Sequence, residues 1–362
     1  MRLHHTARRS GFTLVELIVA AGLTVLIMAV LATGFQVGLQ SLSTLKSAGD
    51  LADRLRTTET MLRFDLDAPH FDTGTNPGSL PLSQLRFDLD STVRPAGGFF
   101  QIRQPAHPLG FVLTEGIDQD SLSSTHAFTH GLSLTVRRTG KTPGDLFAAV
   151  DGSAGMGAVT GNNPSDVAPA GMTAAMLISD WAEVHWFLDL NRPTVQNGVT
   201  TYPLCRRVRL LTKAPVGGVL PATPLAEVVS ADAAGTTNTL AAIANPVNRL
   251  APAALPNTPP PSRFGDDIVI TNVVSFEVKP TGVVPGLLTW PRPALNATAF
   301  NADFPFDDLP ANQTVFDTAI GGFAPAAGTP VTPARVTGVQ IKIRVYDAKN
   351  KLTRQSVVTS KL

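Results

Sequence analysis

The chain has 362 residues, with 29 Lys plus Arg against 28 Asp plus Glu and a single cysteine, Cys205. Charged residues make up 16% of it, below the usual quarter, which excludes a disordered polyelectrolyte. A formal net charge of +1 gives no electrostatic basis for nucleic-acid binding, and one cysteine excludes an intramolecular disulfide or a cysteine-built zinc cluster.

Residues Met1 to Gly11 carry Arg2, Arg8 and Arg9 and no acid. An uncharged apolar run follows from Leu17 to Phe35, and its nineteen residues span roughly 28 Å as a helix, about the thickness of a bilayer's hydrocarbon. The basic residues all lie on one side, so the positive-inside rule places Met1 to Gly11 in the cytoplasm. A cleaved secretory signal has a shorter apolar region ending in small residues, and a soluble core helix leaves the basic cluster without a purpose. A plain signal anchor fits the length. It does not explain Glu16, a carboxylate inside the membrane-entry segment, where a charge is expensive and calls for a partner.

The string Gly11-Phe12-Thr13-Leu14-Val15-Glu16, after a short basic leader and before an apolar helix, resembles the processing site of type IV prepilins, a superfamily that includes the pseudopilins of type II secretion. The resemblance implies that a prepilin peptidase of the bacterial inner membrane cuts between Gly11 and Phe12 and methylates the new amine of Phe12. It also implies that Glu16 serves subunit assembly. Loss of Arg2, Arg8 and Arg9 leaves 26 basic against 28 acidic residues, a mature charge of −2. Physically, the cut puts a positive amine four residues from Glu16, and the amine of a neighbouring subunit can neutralise that carboxylate.

After Gly38 the apolar residues Leu42, Leu45, Ala48, Leu51, Ala52, Leu55, Leu62 and Leu66 recur three and four apart, with charged residues between them. This predicts an amphipathic helix that continues the apolar one from Phe12 to about Leu66 and is stopped by Pro69. Two helices broken near Gly34 or Gly38 are the alternative.

Beyond Pro69, short alternating runs predict strands at Gln84–Leu89, Gly98–Arg103, Gly110–Leu113, Leu132–Arg137, Ala182–Leu190, Tyr202–Leu211, Ile268–Val278, Val339–Tyr346 and Leu352–Val358. Val184, Trp186, Leu188 and Leu190 alternate with Glu183, His185 and Asp189. Val339, Ile341, Ile343 and Val345 alternate with Gln340, Lys342, Arg344 and Tyr346. Both patterns predict antiparallel strands with one wet face. Segments 139–173, 214–266 and 291–333 are rich in Gly, Pro and Ala, lack periodicity, and are expected as long loops.

The expected fold is α+β, a long N-terminal transmembrane and amphipathic helix packed on an antiparallel sheet. It divides into leader 1–11, membrane segment 12–38, amphipathic segment 39–68 and a β-rich head 69–362. Glu183-Val184-His185-Trp186-Phe187-Leu188, Leu204-Cys205-Arg206-Arg207-Val208-Arg209 and Val274-Ser275-Phe276-Glu277-Val278 resemble parts of the J-type minor pseudopilin. Met61-Leu62-Arg63-Phe64-Asp65-Leu66 with Ala68-Pro69-His70-Phe71 is similar to the pilin-like cassette proteins called Verru_Chthon cassette protein C.

Other chemistry is sparse. His126 and His130 stand four apart without an accompanying Glu or Cys, and the glycine-rich 152–157 segment lacks the lysine of a phosphate loop. The pairs Asp65/Asp67 and Asp88/Asp90 and the group Asp303, Asp307, Asp308 read as solvated acids rather than calcium sites. Cys205 reads as a small buried hydrophobe, and Arg206, Arg207 and Arg209 as a surface strand. No catalytic residue, metal or cofactor is expected. The expected role is a non-enzymatic minor pilin or pseudopilin subunit, with its head in the periplasm or outside the cell. The expected partners are the peptidase, other pilin-like subunits and, before assembly, the inner membrane. A membrane-anchored binding protein or enzyme, and an adhesive or uptake tip subunit, are the rival readings.

Overall fold

A computed structural model describes residues 13–72, 95–104, 114–117, 123–125, 127–140, 142, 145–150, 176–212, 229–249, 266–283, 315–323 and 332–361. The chain forms two compact units, Met1–Asp53 and Arg54–Leu362. Helix α1 (Leu14–Asp67) starts in the first unit and ends in the second, without a break at Gly34 or Gly38. A Cβ at either glycine meets nothing within 4 Å, so neither marks a close approach.

In the first unit, α1 is long and apolar enough to cross a membrane, and Leu17, Ile18, Leu23, Leu26 and Phe35 are all exposed. The hydroxyls of Thr24 and Thr33 donate to the carbonyls of Ala20 and Ala29 at 2.8 and 2.9 Å. That back-bonding leaves no donor of these threonines to be satisfied by surroundings without water.

In the second unit, the last turns of α1 lie against a sheet of strands β1 (Phe100–Arg103), β4 (Gly131–Arg137), β7 (Trp181–Leu188), β8 (Thr194–Gln196), β9 (Val199–Leu210), β10 (Asp266–Val283), β11 (Val315–Asp317), β12 (Gly322–Phe323), β13 (Thr332–Pro333), β14 (Arg335–Asp347) and β15 (Leu352–Lys361). Their order is β13-β12-β11-β1-β4-β7-β9-β10-β14-β15, with β8 paired to β9, and every pairing is antiparallel. Strands β2 (Thr114–Ile117) with β3 (Ser123–Thr125), and β5 (Phe147–Val150) with β6 (Met176–Ser179), form two separate ribbons. The architecture is therefore α+β.

Register assigns the two faces. Leu134, Val184 and Val208 lie opposite one another across β4, β7 and β9, as do Leu132, Trp186 and Arg206. This is the helix face, where Leu55, Leu62 and Leu66 of α1 are buried. Asn197 and Gly198, both at positive φ, make the two-residue turn between β8 and β9, the conformation an Asn-Gly pair favours. Gly98, at φ +89°, is required by a close approach: a Cβ there collides with the His70 carbonyl and the Thr135 hydroxyl.

The opposite face is not wet along β7 and β14, though it is exposed on the edge strand β15. Glu183, His185 and Asp189 are buried, as are Lys342, Arg344 and Tyr346, while Gln340 is half-buried. Around β7 and β9 the cover is segment 229–249, which carries a short helix α2 (Leu240–Ile243); Leu240 and Ile243 pack against Phe99, Trp181 and Leu211. Around β14 the buried charges are paired, Glu277 lying 3.4 Å from Lys279 on its own strand and 3.8 Å from Lys342 across on β14. The stretches expected as loops also carry order: β5 lies within 139–173, α2 within 214–266, and β11, β12 and β13 within 291–333. Expected strands Gln84–Leu89 and Gly110–Leu113 fall outside the described residues.

Candidate functional site

Gly11 and Phe12, the expected cleavage and methylation positions, lie outside the described residues. Glu16 lies in the first turn of α1. Its Oε2 accepts from the backbone N–H and from the hydroxyl of Thr13, both at 3.0 Å, while the Glu16 N–H donates to Thr13 Oγ1 at 3.3 Å. This reciprocal pattern is a capping box, in which residues three apart satisfy donors that a helix start leaves over. The carboxylate expected to need an intersubunit partner thus already has a local one.

The second unit holds a charge cluster that the sequence did not announce. Asp65, on the last full turn of α1, is fully buried. Arg206 of β9 grips it with two hydrogen bonds, Nε to Oδ2 and Nη2 to Oδ1, each 2.7 Å, and Trp186 Nε1 donates to Oδ2 at 2.8 Å. A two-point guanidinium–carboxylate pair fixes orientation as well as energy, so Asp65 sets both the height and the rotation of the helix on β7 and β9. The expectation of solvated Asp65 and surface Arg206, Arg207 and Arg209 is corrected here, since all four are buried. Arg207 lies over the Phe187 ring at 5.2 Å, and Arg209 pairs with Glu183 at 2.9 Å. A usable signal was present: Asp65 follows Thr58 and Leu62 at helical spacing, inside the stripe that faces the core. Asp67, by contrast, is exposed and accepts from Ser360 Oγ at 3.3 Å.

On the far face, Ser133, His185 and Glu183 stand in the order hydroxyl, imidazole, carboxylate. Ser133 Oγ is 2.8 Å from His185 Nδ1, and His185 Nε2 is 2.7 Å from Glu183 Oε1. Burial by itself would raise the Glu183 carboxyl, but Arg209, His185 and the Ser230 hydroxyl outweigh it and hold it far below its ordinary range. Burial pushes His185 below its ordinary value, with Glu183 opposing and Arg209 and Arg207 assisting. A neutral ring that donates from Nε2 to Glu183 accepts the Ser133 proton at Nδ1. Ser133 is 3% exposed, so no substrate reaches its hydroxyl in this conformation. The cluster braces β4, β7 and β9 to the 229–249 segment, where Asn238 Nδ2 donates to Ser230 Oγ at 3.0 Å.

Cys205 is buried and free of any disulfide, as expected for a small hydrophobe. His130 Nδ1 accepts from the Val278 N–H at 3.2 Å, and its expected companion His126 lies outside the described residues, as do 152–157, Asp88, Asp90, Asp303, Asp307 and Asp308. Among the described residues no three His, Cys, Asp or Glu side chains gather as a metal site. A cavity of about 440 Å3 opens beside the Asp65–Arg206 pair, lined by Thr57, Thr60, Met61, Phe64, Asp65, Arg138 and Arg206. No protein-family model, curated protein or solved structure matches the chain.

Proposed function

We propose that the chain is a minor pilin-like or pseudopilin-like subunit, cut by a prepilin peptidase between Gly11 and Phe12, methylated on Phe12, and assembled through its apolar helix into a fibre. The observation that carries the reading is the string Gly11 to Glu16 set between three arginines and an uncharged apolar run. An exposed apolar helix over residues 14–45 and an antiparallel α+β unit after it are in keeping with such a subunit. On this reading the leader is cytoplasmic, the helix rests in the inner membrane until extraction, and the second unit is displayed in the periplasm or beyond. The resemblances to the J-type pseudopilin and the Verru_Chthon cassette proteins belong to the same proposal.

The test is intact mass. Protein expressed in membranes with an active prepilin peptidase is expected to lose Met1–Gly11 and gain one methyl group, and Gly11→Val is expected to stay uncut. A wild-type chain that keeps Met1, while a control prepilin in the same cells is processed, overturns the proposal in favour of a plain membrane anchor.

A further inference from the structure

The cavity beside α1 has a chemistry that the assembly reading does not use. Its helix wall is Thr57, Thr60, Met61 and Phe64, which the 3.6-residue period places on one side of α1. The Asp65–Arg206 pair and Arg138 complete its lining. Arg138 follows the last residue of β4, and its backbone N–H is fixed by the Asp180 carbonyl at 2.8 Å. Its guanidinium lies over two rings, 5.4 Å from the centre of Phe64 and 4.3 Å from that of Phe147. Its Nε is buried and has no hydrogen-bond partner among the described residues. Asp65 does not supply one; its oxygens accept from Arg206 and Trp186. The cavity therefore holds two guanidinium groups and one carboxylate, a surplus of one positive charge against an apolar wall.

We infer that this cavity is a binding site for a small organic monocarboxylate with a compact apolar body. A volume of about 440 Å3 falls in the range of small-ligand pockets, which combine mostly apolar lining with a few placed polar groups. A carboxylate supplies the two-point acceptor that a guanidinium matches, while Met61 and Phe64 cover the body. A neutral apolar guest leaves Arg138 unpaired at a partly desolvated position, which is costly. A dianion brings a second charge that no group of the cavity answers.

The test is calorimetric titration of the full chain in non-ionic detergent with benzoate, and with benzyl alcohol as the uncharged analogue of the same size. Benzoate is expected to bind saturably at one site per chain, and benzyl alcohol about tenfold more weakly or worse. Arg138→Gln is expected to weaken benzoate by about tenfold while leaving benzyl alcohol unchanged, with Arg138→Lys in between. Thr60→Trp, on the exposed side of α1, is expected to block both by filling the cavity; it keeps the proposal testable should Arg138 variants fail to fold. Equal binding of the two probes, no saturable benzoate binding, or benzoate binding indifferent to Thr60→Trp overturns it. Self-association of the chain that needs Arg138 and excludes benzoate also overturns it, because the carboxylate then comes from a second copy.

Discussion

Thr13 and Glu16 exchange hydrogen bonds at the start of α1, and assembly through Glu16 needs more than that exchange. A capping box accepts Gln in place of Glu, because the amide oxygen still receives the N–H. An ion pair with the Phe12 amine of a neighbouring subunit does not, because its energy comes from charge in a medium that solvates charge poorly. Glu16→Gln therefore separates the two roles where Glu16→Ala removes both. On the proposed function, the Gln variant is expected to be cut and inserted like wild type but to lose crosslinking to other pilin-like subunits. Full crosslinking of Glu16→Gln leaves Glu16 as a helix cap only. Glu16 was conspicuous in the sequence because it is the one acid at the entry to an uncharged apolar run. Asp65 was not, since an acid among charged neighbours resembles any other exposed acid until Arg206, 141 positions away, is brought to it.

Helix α1 was legible from end to end, because apolar spacing, an uncharged run and Pro69 each mark it locally; it ends at Asp67, two residues before the proline. The amphipathic stripe was legible in kind but not in extent, since Leu42 and Leu45 are exposed and burial starts at Leu55. Long strands β4, β7, β9, β10, β14 and β15 were legible through alternation. Strands of two to four residues, such as β11, β12 and β13, hold too few residues to show a period. Alternation also misreported exposure: it records polarity, and on β7 the polar residues are buried because Arg209, Ser230 and one another satisfy them. The last turns of α1 are tied to the sheet of the second unit, from Glu59 with Ser356 to Asp65 with Arg206. A fragment starting at Arg54 is accordingly expected to be monomeric and to melt cooperatively. A fragment starting at Pro69 removes Leu62, Leu66 and the partner of the buried Arg206, a loss of about 3–5 kcal/mol for the broken pair alone. It is expected to aggregate or to melt far lower, by light scattering and circular dichroism. Equal melting of both fragments shows that α1 is not part of that core.

For the molecule as a whole, three buried groups give stability a single direction with pH. His70 and His185 are 2% and 3% exposed, and burial is the main reason that both lie below the ordinary histidine value. At His70 the carbonyls of Thr135 and Leu66 and the charges of Asp65 and Asp67 oppose burial without overcoming it. The Glu183 carboxyl is lowered too, so its contribution is present above pH 4.5 and is lost as pH falls below that. Above about pH 6.5 the histidines are neutral in both folded and unfolded chains and favour neither. Below it, the unfolded chain takes up protons that the folded one refuses, so the unfolded state binds more protons and stability falls with falling pH. Each refused proton is worth at most about 1.4 kcal/mol per pH unit, which bounds the slope from two histidines at twice that. The fragment starting at Arg54 is expected to show a urea midpoint that is flat from pH 8 to 7 and declines steadily from pH 6.5 to 5. His185→Gln, which retains a donor and an acceptor but cannot titrate, is expected to make that decline shallower and leave the part due to His70. A midpoint that stays level down to pH 5, or one that rises, would mean that the folded unit accepts these protons, and that burial does not govern His70 and His185.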